Sequence, residues 1–191
     1  MNRRKAIVTA LFAGGIGASF FSVSRWYMYT HRPDLSTLGQ DINLIAELAE
    51  VIIPRTETPG AKDVGVHHFI VKAVEDCLEP KNQRSFIGGL EDLKKYTQDH
   101  YGKDFIGCNA GQKEETMAHF EASTASLNVF MKKVRKKIMG DTFFSILKQY
   151  TAIGYCTSMS GATKGLSYDY IPSAYESCIP LQDGQKSWAT K

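Results

Sequence analysis

The sequence is poor in the residues that build redox and metal centres. Its 191 residues include four cysteines and five histidines, and neither type is clustered. Cys77, Cys108, Cys156 and Cys178 are each more than 20 residues from the next, which excludes covalent haem of the C-x-x-C-H kind and ferredoxin-type clusters. No H-E-x-x-H occurs. His67 and His68 are adjacent, so on a helix they diverge by about 100° and do not share a metal as an i, i+4 pair would. His100 and His119 read as isolated histidines in polar surroundings. The glycine runs are in the wrong places for a phosphate loop, since Gly14-Gly15-Ile16-Gly17 lies in the apolar N-terminal stretch and Gly88-Gly89 in a helical pattern. Ser158 and Ser160 beside Gly161 do not make a G-x-S-x-G nucleophile turn. Charge of one sign is scarce too: 23 basic against 20 acidic residues leave +3, too little for a surface that neutralises nucleic-acid phosphates.

What is present begins with an address. Met1-Asn2-Arg3-Arg4-Lys5 precedes an uncharged run from Ala6 to Val23, a basic region followed by a weakly apolar one, as in an export signal. Paired Arg3 and Arg4 resemble the twin-arginine signal of proteins exported already folded. A Sec signal or an uncleaved anchor is the competing reading, because no clean A-x-A site follows and Arg25-Trp26-Tyr27 suits a membrane interface. Residues 1–30 are therefore set apart from a single domain at 31–191, expected outside the cytoplasm.

With 43% hydrophobic residues, that domain has the composition of one ordinary core. Leu38, Ile42, Ile45, Leu48 and Ile52 recur at helical spacing, with Thr37 and Gln40 placed as a capping box and Pro54 as the stop. A turn-rich stretch, Pro54 to Gly60, leads to a second helix with Val66, Phe69, Ile70, Ala73, Val74 and Cys77 on one face, closed by Pro80. A third carries Phe86, Leu90, Leu93, Thr97 and Tyr101 and stops at Gly102, with Gly88-Gly89 weakening its start. Further helices are expected from Gln112 to about Met139 and from Asp141 to about Tyr155. The last is apolar nearly all round, which places it in the middle. No strand pattern occurs, so the expected fold is all-α, a small bundle of about five helices with an irregular aromatic tail over 157–191.

That tail holds Tyr168, Tyr170, Tyr175 and Trp188, side chains that need burial on something. It either wraps its own bundle or docks on another subunit. Four cysteines in an oxidising compartment allow three pairings; Cys156 with Cys178 would staple the tail to the central helix. Lys132, Lys133, Arg135, Lys136 and Lys137 read as a solvated helix face, with an acidic partner or anionic lipid as the alternative.

Two stretches resemble a known family. The first is Ile52-Ile53-Pro54-Arg55-Thr56-Glu57-Thr58-Pro59-Gly60-Ala61-Lys62-Asp63-Val64-Gly65-Val66, followed by His68-Phe69-Ile70. The second is Gly154-Tyr155-Cys156-Thr157-Ser158 with Gly161-Ala162-Thr163, Tyr168-Asp169 and Tyr175-Glu176-Ser177-Cys178-Ile179-Pro180-Leu181. Both are similar to the small subunit, subunit 3 or gamma, of membrane-associated gluconate 2-dehydrogenases and related FAD-dependent sugar dehydrogenases. The resemblance implies a subunit with no redox cofactor and no catalytic or metal-binding residues of its own. It further implies a large FAD-containing GMC-type partner, a cytochrome c subunit in the same complex, and a periplasmic, membrane-associated location reached by the twin-arginine route. In such a subunit the turn-rich loop and the aromatic tail are the expected partner surface, which singles out Pro54, Thr58, Pro59, Gly60, Tyr155, Tyr168, Asp169, Tyr175 and Trp188 as candidate partner-binding residues. Relatives tend to carry an aromatic where this chain has Cys156, so the family does not supply the pairing with Cys178. Two rivals remain on sequence grounds: an anchored exported structural protein without a redox partner, and a free-standing exported enzyme using His67, His68 or Asp169.

Overall fold

The structure, a computed structural model, describes residues 33–125, 129–171, 178, 180, 181 and 183–189. The export signal, including Arg3 and Arg4, and Pro172 and Tyr175 lie outside the described residues. Within them the architecture is all-α. Six α-helices are present: α1 (Ile42–Ile52), α2 (Val66–Asp76), α3 (Pro80–Tyr101), α4 (Ala110–Ala125), α5 (Val129–Met139) and α6 (Phe143–Thr157). The bundle has one helix more than expected, because the single helix read over Gln112–Met139 corresponds to α4 and α5 on either side of 126–128. No described helix is long and apolar enough to cross a membrane.

Helix α6 is the centre as expected, although it is not enclosed all round: Lys148, Gln149, Ala152 and Ile153 form an exposed face. Phe143, Phe144, Ile146, Leu147 and Tyr155 are buried, and α1, α2, α3 and α4 all pack on it. Its start is fixed locally: the Thr142 hydroxyl accepts the Ser145 amide at 3.3 Å, an N-cap. Stripes from the other helices close the core, with Leu44, Ile45 and Leu48 from α1, Val66, Ile70 and Val74 from α2, and Phe86, Leu90 and Leu93 from α3. The closest approach is at Gly89. A Cβ there would overlap the Phe143 side chain, whereas one at Gly88 would meet nothing within 4 Å. The two glycines therefore differ: Gly89 is the notch through which α3 reaches α6, and Gly88 merely costs helix stability.

Several helix ends differ from the expectation. Thr37 and Gln40 form no capping box; the Thr37 carbonyl accepts the Gln40 and Asp41 amides in a turn, and α1 starts later, at Ile42. Asp41, at its N-cap, makes no capping bond because its carboxylate is held by Lys94 Nζ at 2.6 and 2.8 Å. A reciprocal capping box lies instead at α4, where Asn109 Oδ1 accepts the Gln112 amide at 2.9 Å and Gln112 Oε1 accepts the Asn109 amide at 3.1 Å. Pro80 opens α3 at its first turn, six residues ahead of Phe86, since proline suits the N1 position. Gln83 then reaches back, its Nε2 donating to the Val74 and Glu75 carbonyls at the end of α2. Phe69 and Cys77, expected on the buried face of α2, are exposed.

Gly89→Val should lower stability by about 1–3 kcal/mol through overpacking, while Gly88→Ala should raise it by roughly 0.5–1 kcal/mol. Urea unfolding of the two purified variants checks both signs at once.

Candidate functional site

The loop between α1 and α2 is irregular but not loose, because α1 supplies it with acceptors. Glu50 takes the Arg55 amide on one carboxylate oxygen and the Lys62 amide on the other, both at 2.9 Å. Gly60 sits directly on that carboxylate, and any Cβ there would overlap it. The Gly60 amide donates to Asp63 at 3.2 Å, and the Ala61 amide donates to the Ile53 carbonyl at 2.9 Å. One turn earlier, Glu47 binds Lys62 of the loop and, at 2.7 Å, Lys113 of α4. Its carboxyl is held below the usual carboxylate range by Lys113 first and Lys62 second.

The second motif closes on the first through one side chain. The Tyr155 hydroxyl, on α6, donates to the Pro59 carbonyl at 2.9 Å. Two glycines make room for it: a Cβ on Gly161 would overlap the Tyr155 carbonyl, and one on Gly165 would press on its ring. Those glycines bound a π-helical turn, Gly161–Gly165, where the sequence suggested no periodic structure. Ser158 adds a local brace, its hydroxyl donating to the Tyr155 carbonyl and accepting the Gly161 amide. Between loop and turn lies an open groove of about 410 Å³ lined by Arg55, Thr56, Thr58, Asp63, Ser160 and Lys164 among others.

Beyond the π-helical turn the chain returns to itself. Ser167 and Trp188 form an isolated parallel bridge, with the Ser167 amide donating to Ser187 and the Ala189 amide to Ser167, both at 2.8 Å. Lys186 Nζ donates to the Lys164 carbonyl at 2.8 Å. The described part of the tail is thus pinned at its base, yet its large side chains stay outside: Tyr170 is 84% exposed, Ile171 74%, Leu181 89% and Trp188 50%. Tyr168 and Asp169 are exposed beside them. Met159, Ile153 and Phe69 add exposed apolar surface at the same end of α6.

The structure thus brings Pro59, Gly60 and Tyr155 together, with Thr58 half-buried in the same loop and Pro54 exposed at its start. Tyr168, Asp169 and Trp188 lie on the adjoining tail. Cys156 and Cys178 both carry free, exposed thiols. His67 is half-buried with no partner for Nδ1, and burial, then His68 and Lys62, push its pKa down. His100 and His119 are not isolated, as the sequence suggested; they stack on Tyr96 with centroids 4.0 and 4.5 Å away, His100 from one turn along α3 and His119 from α4 alongside. Among the described residues no three His, Cys, Asp or Glu side chains gather as a metal site would require. Glu47, Glu50 and Tyr96 escaped the sequence reading; an acidic pair one turn apart just before a glycine-bearing loop was the one available signal.

The model of the family described as gluconate 2-dehydrogenase subunit 3 matches residues 39–172. No curated protein and no solved structure matches the chain.

Tyr155→Phe should cost about 1 kcal/mol by leaving the Pro59 carbonyl without its donor, and should speed tryptic cleavage at Arg55 and Lys62. Limited proteolysis followed by mass spectrometry reads the second effect directly. For Glu47, the folded carboxyl binds its proton at lower pH than the ordinary value of 4.5. Its stabilisation is therefore complete above that value and lost as the pH falls below it. Glu47→Gln should flatten the fall in urea midpoint between about pH 5 and pH 3, measured against the unaltered chain.

Proposed function

The chain belongs to the gluconate 2-dehydrogenase subunit 3 family, and from that premise we propose that it is a non-catalytic accessory subunit which supports the export, maturation and stability of a large FAD-dependent dehydrogenase subunit. The dehydrogenase oxidises the sugar or sugar acid on its own flavin and passes electrons to a cytochrome c subunit. The present chain contributes a docking surface. The observation that carries this reading is the exposed apolar end of α6, where Tyr168, Tyr170, Ile171, Leu181 and Trp188 stand in solvent on a segment whose base is tied down by the Ser167–Trp188 bridge. Exposed aromatic side chains grouped beside that bridge have the composition of a protein interface core. Fixing the backbone at Ser167 and Trp188 before association lowers the ordering cost of binding there.

The Pro54-to-Gly65 loop extends the surface, since Tyr155 locks it to the same end of the molecule. Periplasmic placement follows from the Arg3-Arg4 signal in this reading, and folding of the two subunits before export explains why one signal would serve both.

Tyr170→Ser with Ile171→Ser removes only exposed side chains, so urea stability should change by no more than about 0.5 kcal/mol. Co-purification of the dehydrogenase subunit from cells expressing both should fall severalfold; wild-type recovery would show that the tail is not the docking surface. Replacing Arg3 and Arg4 by Lys should leave both subunits in the cytoplasm, read by fractionation and dehydrogenase activity. Undiminished periplasmic activity would rule out the twin-arginine route.

A further inference from the structure

A second surface lies at the other end of α6 and has the opposite chemistry. Helix α5 leads through Gly140 into the start of α6, whereas the aromatic tail follows its last turn. A helix of 15 residues separates the two ends by roughly 20 Å. The sequence of α5, VFMKKVRKKIM, holds five basic residues and no acidic one. That local charge exceeds the +3 of the whole chain, so the remainder is net acidic.

Lys133, Lys136 and Lys137 share one face by their i, i+3, i+4 spacing, and all three are exposed. Lys136 pairs with Asp141 at 2.9 Å. Lys133 and Lys137 have no ion-pair partner among the described residues. Like charges at this spacing destabilise a helix by a few tenths of a kcal/mol per pair. The helix C-terminus favours Lys136 and Lys137, but Lys133 lies beyond the last turn and gains nothing from it. The fourth exposed residue described on α5 is Met139, at 59%. The helix rests mainly on α3, which leaves this face open.

We propose that Lys133, Lys136 and Lys137 form a docking face for anionic lipid headgroups, seating the subunit on a membrane surface by the end opposite its aromatic tail. Charge complementarity selects the anion, and composition selects lipid over protein. Protein interfaces are enriched in aromatics and arginine and depleted in lysine, whereas clustered lysines on an amphipathic helix suit the diffuse negative field of a bilayer. The proposal stands whether or not the tail binds a dehydrogenase.

The test uses the full chain, sedimented with vesicles of phosphatidylcholine alone and with vesicles that also contain phosphatidylglycerol. Comparing the two cancels the apolar contribution of the N-terminal run, and Arg3, Arg4 and Lys5, present in every variant, add the same to each. Each lysine near an anionic surface is worth about fivefold in binding, so K133Q/K136Q/K137Q should lose at least tenfold of the preference for phosphatidylglycerol. Raising the salt should erase that preference in the unaltered chain. Should the triple variant fold poorly by circular dichroism, K133Q/K137Q keeps the Lys136–Asp141 pair and should still lose most of the preference. No preference in the unaltered chain, or one that survives the substitutions, overturns the proposal. So does a variant that keeps its lipid preference but no longer co-purifies with dehydrogenase subunits, which would assign the face to an acidic protein.

Discussion

The hydroxyl of Tyr155 on the carbonyl of Pro59 joins residues 96 apart in sequence, and the candidate site depends on that bond. Without it, the loop after α1 and the turn after α6 are two irregular segments with separate tethers. With it, they become one surface. The surrounding residues make the bond possible: Gly161 and Gly165 leave space for the tyrosine, and Glu50 and Gly60 bring the Pro59 carbonyl to the right depth. A buried or half-buried carbonyl without a donor is costly, so the loop and the central helix hold each other in register.

The helices were legible because their apolar residues recur at a helical period, and α6 was legible as the centre because Phe143, Phe144, Ile146 and Leu147 crowd its first turns. What the sequence concealed were relations between elements. Gly88 and Gly89 look alike in a row of letters, yet only Gly89 faces Phe143. Thr37-x-x-Gln40 and Asn109-x-x-Gln112 share the capping spacing, and only the second caps, because Thr37 and Gln40 lie in a turn ahead of α1, which starts at Ile42. His119 stands alone along the chain, yet α4 brings it onto Tyr96 of α3, where His100, one turn further along α3, stacks as well.

The candidate site was readable as two motifs and not as one place. Pro59, Gly60 and Tyr155 were singled out, but a spacing of nearly a hundred residues carries no geometric information before the fold is known. The tail posed a choice between self-wrapping and docking. In the described part the backbone bridges back on itself at Ser167 and Trp188, and Tyr170, Ile171 and Leu181 stay exposed instead of packing on the bundle.

The bonds that shape the loop after α1 have a consequence for how this surface can change over time. Glu50 grips main-chain amides at Arg55 and Lys62, and Tyr155 grips a main-chain carbonyl at Pro59. Almost every residue type offers the same main-chain groups. Gly60 must lack a side chain, and Lys62 and Asp63 are tied to Glu47 and to the Gly60 amide, but the grip of Glu50 and Tyr155 puts no demand on the other outward side chains of the loop. Substitutions there can change the chemistry this face presents while the backbone path stays as it is, so the face can diverge residue by residue without loss of the fold.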